Sequence, residues 1–348
     1  MEEAKEWVKK YFDEINRGDN IPKMAEQSVI LDSTKKLYHE DNFARLPELT
    51  LTWPGVPVYS KDSYAIDILC QYLSEGKNAP LYKVLVEDKK LTENTNMFTY
   101  NSEIAGQTMI SVRAFENIDL DSVKVAIDVA FQDFETNGIG KKDLDRIKAG
   151  LETDFYNSLG SVLGKGFQLA QYNIYKDDPS YIDQDVQNIL NVTEDDIMNV
   201  YNTYIKGKNY VATSFVPKGQ IELTLADSQI AKVVEEQIVQ GKEESFDASI
   251  AADYEKTPST FDRSIEPPYG KTPEVKTPEI WKDNLDNGIK LSGIENNEVP
   301  LVRFEMTIEG GQLLDDPNKV GVANLLAQSM TEGTKNKTPQ ELEEAIEQ

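Results

Sequence analysis

The stretch Leu46-Pro47-Glu48-Leu49-Thr50-Leu51-Thr52-Trp53-Pro54 decides the fold, because its apolar and polar residues alternate. A period of two is typical of a β-strand that buries one face. Strand-like runs also lie at 95–100, 108–115 and 209–216, with weaker candidates at 28–31 and 37–38. The alternating pattern predicts a sheet that buries one face and leaves the other polar.

Helical periodicity fills the intervals between these runs. Apolar residues at spacings of three and four predict helices over residues 1–18, 62–74, 81–86, 120–136, 142–157, 167–175, 181–189 and 194–204. Asn137-Gly138 is a stop signal for one helix, and Thr193 is a capping residue for another. The pattern predicts an α+β fold in which an antiparallel sheet carries its helices on one face.

The composition argues against several classes of protein. The chain has 348 residues, with 36 Lys and Arg against 61 Asp and Glu, which gives a formal net charge of −25. Nucleic acids and anionic membrane surfaces attract Lys and Arg, so we expect no nucleic-acid partner and no binding to such membranes. No run approaches the roughly twenty apolar residues of a membrane span, so no span is expected.

Residues 257–278 have the composition of a linker between domains. Five prolines lie in this span, and proline is disfavoured both in helix interiors and in central strands. Phe261 is expected to anchor the segment to a domain surface. The preceding residues, 226–239, are interpreted as an acidic helix or an extended arm.

A new domain is predicted to begin after this linker. Asn287-Gly288 between apolar residues indicates a β-hairpin, and alternation at 301–308 predicts a further strand that Gly310-Gly311 ends. A helix is predicted over 338–348 from its capping box, and it stops without a C-terminal cap. Because the chain opens and closes within predicted helices, we expect it to be an internal piece of a larger protein.

A helix framed by glycines follows Gly310-Gly311. It reads Gly321-Val322-Ala323-Asn324-Leu325-Leu326-Ala327-Gln328-Ser329-Met330-Thr331-Glu332-Gly333-Thr334. The inverted zinc-peptidase motif His-x-x-Glu-His needs two imidazoles on one helix face and a carboxylate that activates water. The corresponding positions here are Asn324, Ala327 and Gln328, which can supply neither the ligands nor the base.

Histidine and cysteine occur once each. His39, within the charged run at 38–41, is interpreted as a solvated residue at a strand end, and Cys70 as a packing residue. Catalytic zinc sites usually take at least two ligands from His or Cys. We therefore predict no catalytic residue, no metal ligand and no cofactor-binding residue in this chain, with Asn324, Ala327 and Gln328 as degenerate motif positions.

Several blocks of the sequence resemble the insulinase/pitrilysin family of zinc metallopeptidases, the inverzincins. They are the two earlier stretches at 46–57 and 81–91, the hairpin block at 285–302 and the glycine frame at 310–334. These blocks occur in the order expected for the family and together cover almost the whole chain. The family also has a glycine-rich turn, which corresponds to residues 76–81 here. This turn departs from the family pattern, because Pro80 stands where the family has Arg, and substrate contacts at the turn are therefore left unassigned.

The resemblance implies a division of the chain into four parts. Residues 1–22 would be the tail helix of a preceding catalytic-type domain, 23–218 a non-catalytic peptidase-like α/β domain, 219–278 a Pro-rich linker between halves, and 279–348 the start of a second peptidase-like half with a degenerate zinc motif. Zinc is expected in the missing first domain of the parent protein, and no cofactor in this chain. The implied partners are a peptide or unfolded protein substrate and the catalytic domain of the same polypeptide. The implied location of the parent protein is the cell envelope or periplasm of a bacterium.

Two functional hypotheses follow from the resemblance. In the first, the chain is the non-catalytic central region of a zinc-dependent metalloendopeptidase that encloses and hydrolyses peptides, and it forms the chamber wall and hinge. Peptides could add as a strand to an exposed sheet edge. The alternative is a pseudo-peptidase, a binding or scaffold subunit without hydrolytic activity. An α/β module of unrelated function is a third reading, and in every case the chain alone is predicted to be inactive.

Overall fold

The computed structural model contains a six-stranded sheet with the strand order β3-β4-β2-β5-β1-β6. The strands are β1 (Lys35–Asp41), β2 (Glu48–Gly55), β3 (Asn96–Asn101), β4 (Gly106–Arg113), β5 (Val211–Pro217) and β6 (Gln229–Ile230). The structure describes residues 2–233, 258–266, 269–272 and 274–346. Strand β2, predicted from the alternating stretch, lies near the centre of this sheet.

Helices connect the strands of the sheet. They are α2 (Lys61–Ser74), α3 (Pro80–Tyr82), α4 (Leu120–Asn137), α5 (Lys141–Ser158), α6 (Val162–Lys176), α7 (Ile182–Leu190) and α8 (Glu194–Val200). Helices α3 and α8 continue as π-helical turns, Lys83–Asp88 and Tyr201–Ile205. The predicted cap of α8 is confirmed, because Thr193 and Asp196 form a reciprocal capping box.

The core lies between one face of the sheet and these helices. On β2 the buried residues are Leu49, Leu51 and Trp53, and the residues between them are only partly buried. Helix α4 begins at the Asp119 cap, whose carboxylate accepts a hydrogen bond from the Ser122 backbone N–H. Burying apolar surface from both layers is the main stabilising contribution to such a fold. The predicted α+β class, with helices on one face of a sheet, is confirmed.

The sheet differs from the prediction in being mixed rather than purely antiparallel. Strand β1 runs parallel to β5, with Lys35 opposite Val211, and parallel to β6. Strands β2, β3, β4 and β5 pair antiparallel. A parallel neighbour requires a long crossover connection. The chain between β1 and β5 contains most of the helices and supplies such a connection.

Two predicted strands are wrong. Residues 28–31 form no strand, and the first three of them are exposed. Residues 301–308 alternate in sequence but also form no strand, and Phe304 there is 90% exposed. A strand needs a hydrogen-bonded neighbour, and neither segment has one among the described residues. Periodicity alone therefore misled the prediction at both places.

The remaining elements carry the predicted hairpin and the C-terminal helices. They are α1 (Glu2–Phe12), β7 (Ile280–Asn284), β8 (Lys290–Ile294), α9 (Val322–Ser329) and α10 (Pro339–Ile346). Strands β7 and β8 pair antiparallel around the predicted Asn-Gly turn. Residues 226–233 contain β6 and no helix, and the rest of the segment 226–239 lies outside the described residues.

The chain divides into two compact units, residues 1–24 with 233–296 and residues 25–232 with 297–348. In the first unit, the Phe261 ring meets the Tyr11 ring edge-on at 5.1 Å, and the Arg263 guanidinium lies over Phe261. The Thr260 backbone N–H donates to Glu14 at 2.8 Å. Phe261 thus anchors its segment to helix α1, and Thr260 binds the chain that follows this helix.

Candidate functional site

The degenerate motif positions lie on α9, in the second unit. Asn324, Ala327 and Gln328 are all exposed, and their spacing puts them on one side of the helix. Asp315 caps this helix, because its carboxylate accepts hydrogen bonds from the backbone N–H groups of Gly321 at 2.9 Å and Ala323 at 3.1 Å. The glycine frame therefore folds as a helix, and the three motif positions on it carry amide and methyl groups.

No cluster of three or more His, Cys, Asp or Glu side chains within the described part of the chain has a geometry that could hold a metal ion. Cys70 is buried in the core, and burial raises the pKa of its thiol. A buried thiol of raised pKa is a poor nucleophile and a poor metal ligand. The absence of catalytic and metal-binding residues stays a prediction for this chain.

The candidate functional site is the sheet face opposite the helices, here called the open face. Residues from five strands line it, and none of them is buried: Lys35, Leu37, His39, Glu48, Thr50, Thr52, Asn96, Phe98, Tyr100, Gln107, Met109, Ser111, Arg113, Val211, Thr213 and Phe215. Apart from Lys35 and the Glu48–Arg113 pair, these residues are aromatic, aliphatic or neutral polar. The acidic surplus of the chain therefore lies elsewhere.

One row of side chains crosses the open face near the ends of its strands. His39 on β1 stands opposite Phe215 on β5, and their rings stack at a centroid distance of 5.6 Å. Phe215 in turn stands opposite Glu48, which pairs with Arg113. The sequence reading of His39 as a solvated residue missed this contact, because only the parallel pairing of β1 and β5 creates it.

The charges in this row neutralise each other. Arg113 donates to Glu48 Oε2 from Nη2 at 2.7 Å and from Nε at 2.9 Å, and Ser111 Oγ lies 3.3 Å from Glu48 Oε1. Hydrogen bonds between charged groups of this kind are short and directional. The pair fixes both side chains on the face without adding net charge to it.

A groove of about 750 Å³ lies at this end of the open face. Its walls are the loop after β1, with Phe43 and Arg45, and the strand residues Thr50, Thr213 and Phe215. A groove of this volume accommodates several residues of an extended peptide or a small molecule. Its lining combines aromatic surface and hydroxyl groups with two acidic residues, Asp41 and Glu48, and two basic residues, Arg45 and Arg113, so that its formal charges balance.

The sheet also has an edge at β3, which pairs with β4 and with no second strand among the described residues. Behind this strand, Thr99 Oγ1 donates to Asp67 Oδ1 on α2 at 2.6 Å. Burial raises the pKa of Asp67 to about 6, and the hydrogen bond from Thr99 opposes that rise. The pKa of Asp in an unfolded chain is about 3.9.

The raised pKa makes stability depend on pH. Between about pH 4 and about pH 6 the folded chain keeps a proton that the unfolded chain has lost, so the free energy of unfolding falls as pH rises through that window. Asp67→Asn keeps an acceptor for Thr99 and removes the ionisation. We expect the variant to be about 3 kcal/mol more stable than the parent chain at pH 7.5 and nearly equal to it at pH 4.

Urea titrations at several pH values would measure this difference. The exposed Asp154→Asn is the control and is expected to leave the slope between pH 4 and pH 6 unchanged. Parallel pH profiles for the Asp67 variant and the parent chain would contradict the assignment of this slope to Asp67.

None of the helices in the described part of the chain combines the length and the apolar character that crossing a membrane requires. A family model, described as the peptidase M16 inactive domain, matches residues 1–151. The chain is 24% identical over 205 residues to the zinc protease PqqE of Helicobacter pylori, which covers 58% of this chain and 46% of that protein.

Solved structures share the fold. A protease from Helicobacter pylori superposes with a TM-score of 0.55 at 21% identity, over 62% of this chain and 52% of that one. The periplasmic protease PqqL from Escherichia coli gives a TM-score of 0.51 at 12% identity, over 62% of this chain and 24% of that one. The chain thus spans about half the length of the Helicobacter relatives that it matches. The predicted resemblance to the insulinase/pitrilysin family is confirmed, because residues 1–151 match the model of the peptidase M16 inactive domain.

Proposed function

We propose that this chain is the non-catalytic central region of a zinc-dependent metalloendopeptidase, and that its open face forms part of the wall of a peptide-enclosing chamber. The observation that carries the proposal is the open face itself, which is broad, unburied and nearly free of net charge. Peptides of varied sequence share backbone amides and apolar side chains, and a wall of Thr, Ser and aromatic residues can contact both.

The role of the chain as a non-catalytic peptidase-family region follows from the inactive-domain match. Zinc in the parent protein, hydrolysis of peptides and the enclosing chamber are parts of the proposal. The similarity to a protein named as a zinc protease supports them.

The four-part division of the chain belongs to the same proposal. Residues 1–22 would close a preceding catalytic-type domain, 23–218 would be the non-catalytic domain, 219–278 the linker and 279–348 the start of the second half. What supports the second part is that β1 to β5 and the helices between them all lie within it.

The proposal is tested on the full-length parent protein with a quenched, unstructured peptide. We expect cleavage that a zinc chelator abolishes and added zinc restores. Binding of the same peptide without cleavage by the folded, zinc-loaded parent would contradict the enzyme hypothesis and favour the alternative, a pseudo-peptidase scaffold. The observation that favours this second candidate is that Asn324, Ala327 and Gln328 stand at the positions of the motif's His, Glu and His.

The role of the open face has its own test. Phe215→Ala in the parent protein is expected to raise KM for the peptide about five-fold, equivalent to about 1 kcal/mol of lost contact, with kcat and zinc content unchanged. Val129→Ala, on the outer side of α4, is the matched control, because the two side chains are similarly exposed, at 39% for Phe215 and 41% for Val129. Equal KM values for the two variants would show that peptides do not contact this face.

A further inference from the structure

A second cleft lies beside the edge strand β3, away from the open-face groove. It has a volume of about 530 Å³ and is lined by the C-terminal end of α2, the turn at 75–77, residues 94–97 and Glu343 of α10. Thr95 in its wall is only 8% exposed, and its hydroxyl has no hydrogen-bond partner among the described residues. The cleft wall therefore holds a polar group that α10 does not use.

The turn beside this cleft binds carboxylates. The backbone N–H of Lys77 donates to Glu343 Oε2 at 2.8 Å, and Asn78 Nδ2 donates to Glu344 Oε1 at 3.2 Å. The conformation of the turn depends on Gly76, which has a φ of +83° that L residues rarely adopt. A Cβ built on Gly76 would lie 3.6 Å from both carboxylate oxygens of Glu343, so the glutamate approaches the backbone closely.

Two lysines complete this arrangement. Lys77 Nζ donates to both carboxylate oxygens of Glu332, at 3.0 and 2.9 Å, and Lys142 Nζ on α5 pairs with Glu344. The hydrogen bond to Glu332 raises the pKa of Lys77. Three glutamates from residues 332–344 therefore meet one backbone N–H, one side-chain amide and two ammonium groups.

Polar contacts dominate the attachment of α10. No residue of α10 is buried, so the helix lacks the apolar anchor that fixes α2 and α4 in the core. Ion pairs at a protein surface contribute roughly 0 to 1 kcal/mol each and weaken with salt. A helix held in this way can detach without unfolding the domain beneath it.

We propose that the turn Gly76–Asn78 and Lys142 form a binding site for glutamate-rich helical segments, and that α10 occupies this site in cis as a displaceable lid over the cleft beside β3. Opening the lid would free the Lys77 and Asn78 donors and the Lys142 ammonium from the glutamates that they bind. The site would then accept an acidic helical segment in trans.

Hydrogen exchange on the full chain tests the lid. We expect the amides of 339–346 to exchange about ten-fold faster in 0.5 M salt than in 0.05 M salt, because screening weakens the three glutamate contacts by about 1.4 kcal/mol in total. Lys142→Glu should give the same acceleration at low salt, and adding Glu344→Lys should reverse it. Lys141→Glu is the matched control, because the Lys141 side chain pairs with Asp145 on its own helix and not with α10.

A binding measurement tests the site itself. A labelled peptide with the sequence of residues 331–346 should bind the full chain that carries Glu332→Gln, Glu343→Gln and Glu344→Gln at least about ten-fold more tightly than it binds the unaltered chain, since the cis lid no longer competes. A peptide with the same three replacements should not bind. Salt-insensitive exchange at 339–346, or equal exchange for the Lys141 and Lys142 variants, would overturn the lid. Equal binding of both peptides would overturn the carboxylate site.

Discussion

Replacing Asp185 by alanine is expected to lower the free energy of unfolding by about 3 kcal/mol, because it removes the charged acceptor of two buried tyrosine hydroxyls. Tyr64 on α2 donates to Asp185 Oδ1 and Tyr172 on α6 donates to Oδ2, each at 2.6 Å. Asp185 is 7% exposed on α7, so the carboxylate joins three helices. Burial raises the pKa of both tyrosines, which therefore remain donors at neutral pH.

The control for this prediction is Asp183→Ala, two residues earlier on the same helix. Asp183 is exposed, and its replacement is expected to change stability by less than about 0.5 kcal/mol. Adding Tyr172→Phe should reduce the loss caused by Asp185→Ala, because one of the two unpaired hydroxyls is then absent. Urea titration measures all of these variants. Equal losses for the Asp183 and Asp185 variants would contradict the prediction.

The second large effect is expected at the centre of the sheet. Leu51→Ala should cost about 3 kcal/mol, since a fully buried leucine loses its apolar contacts and leaves a cavity. Leu51 stands opposite Ile110 on β4 and Ala212 on β5, so strands on both sides limit the collapse of that cavity.

Its neighbour Thr50 points to the open face and provides the control. Thr50→Ala is expected to cost less than about 1 kcal/mol, because Thr50 is only partly buried. A chemical denaturation series would compare the two variants in the same strand. Similar losses for both would show that the helix-covered face is not the main core of this unit.

The elements with strong local signals were predictable from the sequence. The alternating stretch at 46–54 is β2, the helix predicted at 120–136 is α4 and ends at Gly138, and the Asn287-Gly288 signal lies in the turn between β7 and β8. Each depends on a period, a cap or a turn residue that acts over a few neighbours in the chain. The degenerate zinc frame was equally readable, because the residue types themselves lack the required chemistry.

The features predicted wrongly or missed depend on partners far along the chain. The segment at 301–308 alternates like a strand, yet whether it becomes one depends on a neighbouring strand that the sequence pattern does not reveal. The stacking of His39 on Phe215 needs the parallel register of β1 and β5. The same holds for the Asp185 contacts and for the glutamates of α10 at the Lys77 turn.

The sequence by itself determined the α+β class, the buried face of β2, the family resemblance and the residue types at the three motif positions of α9. These properties follow from local periodicity and from residue chemistry. Only the tertiary structure decided the mixed strand order, the composition of the open face and the attachment of α10. Those depend on register and on contacts between residues distant in sequence, and the same local pattern is compatible with many such pairings.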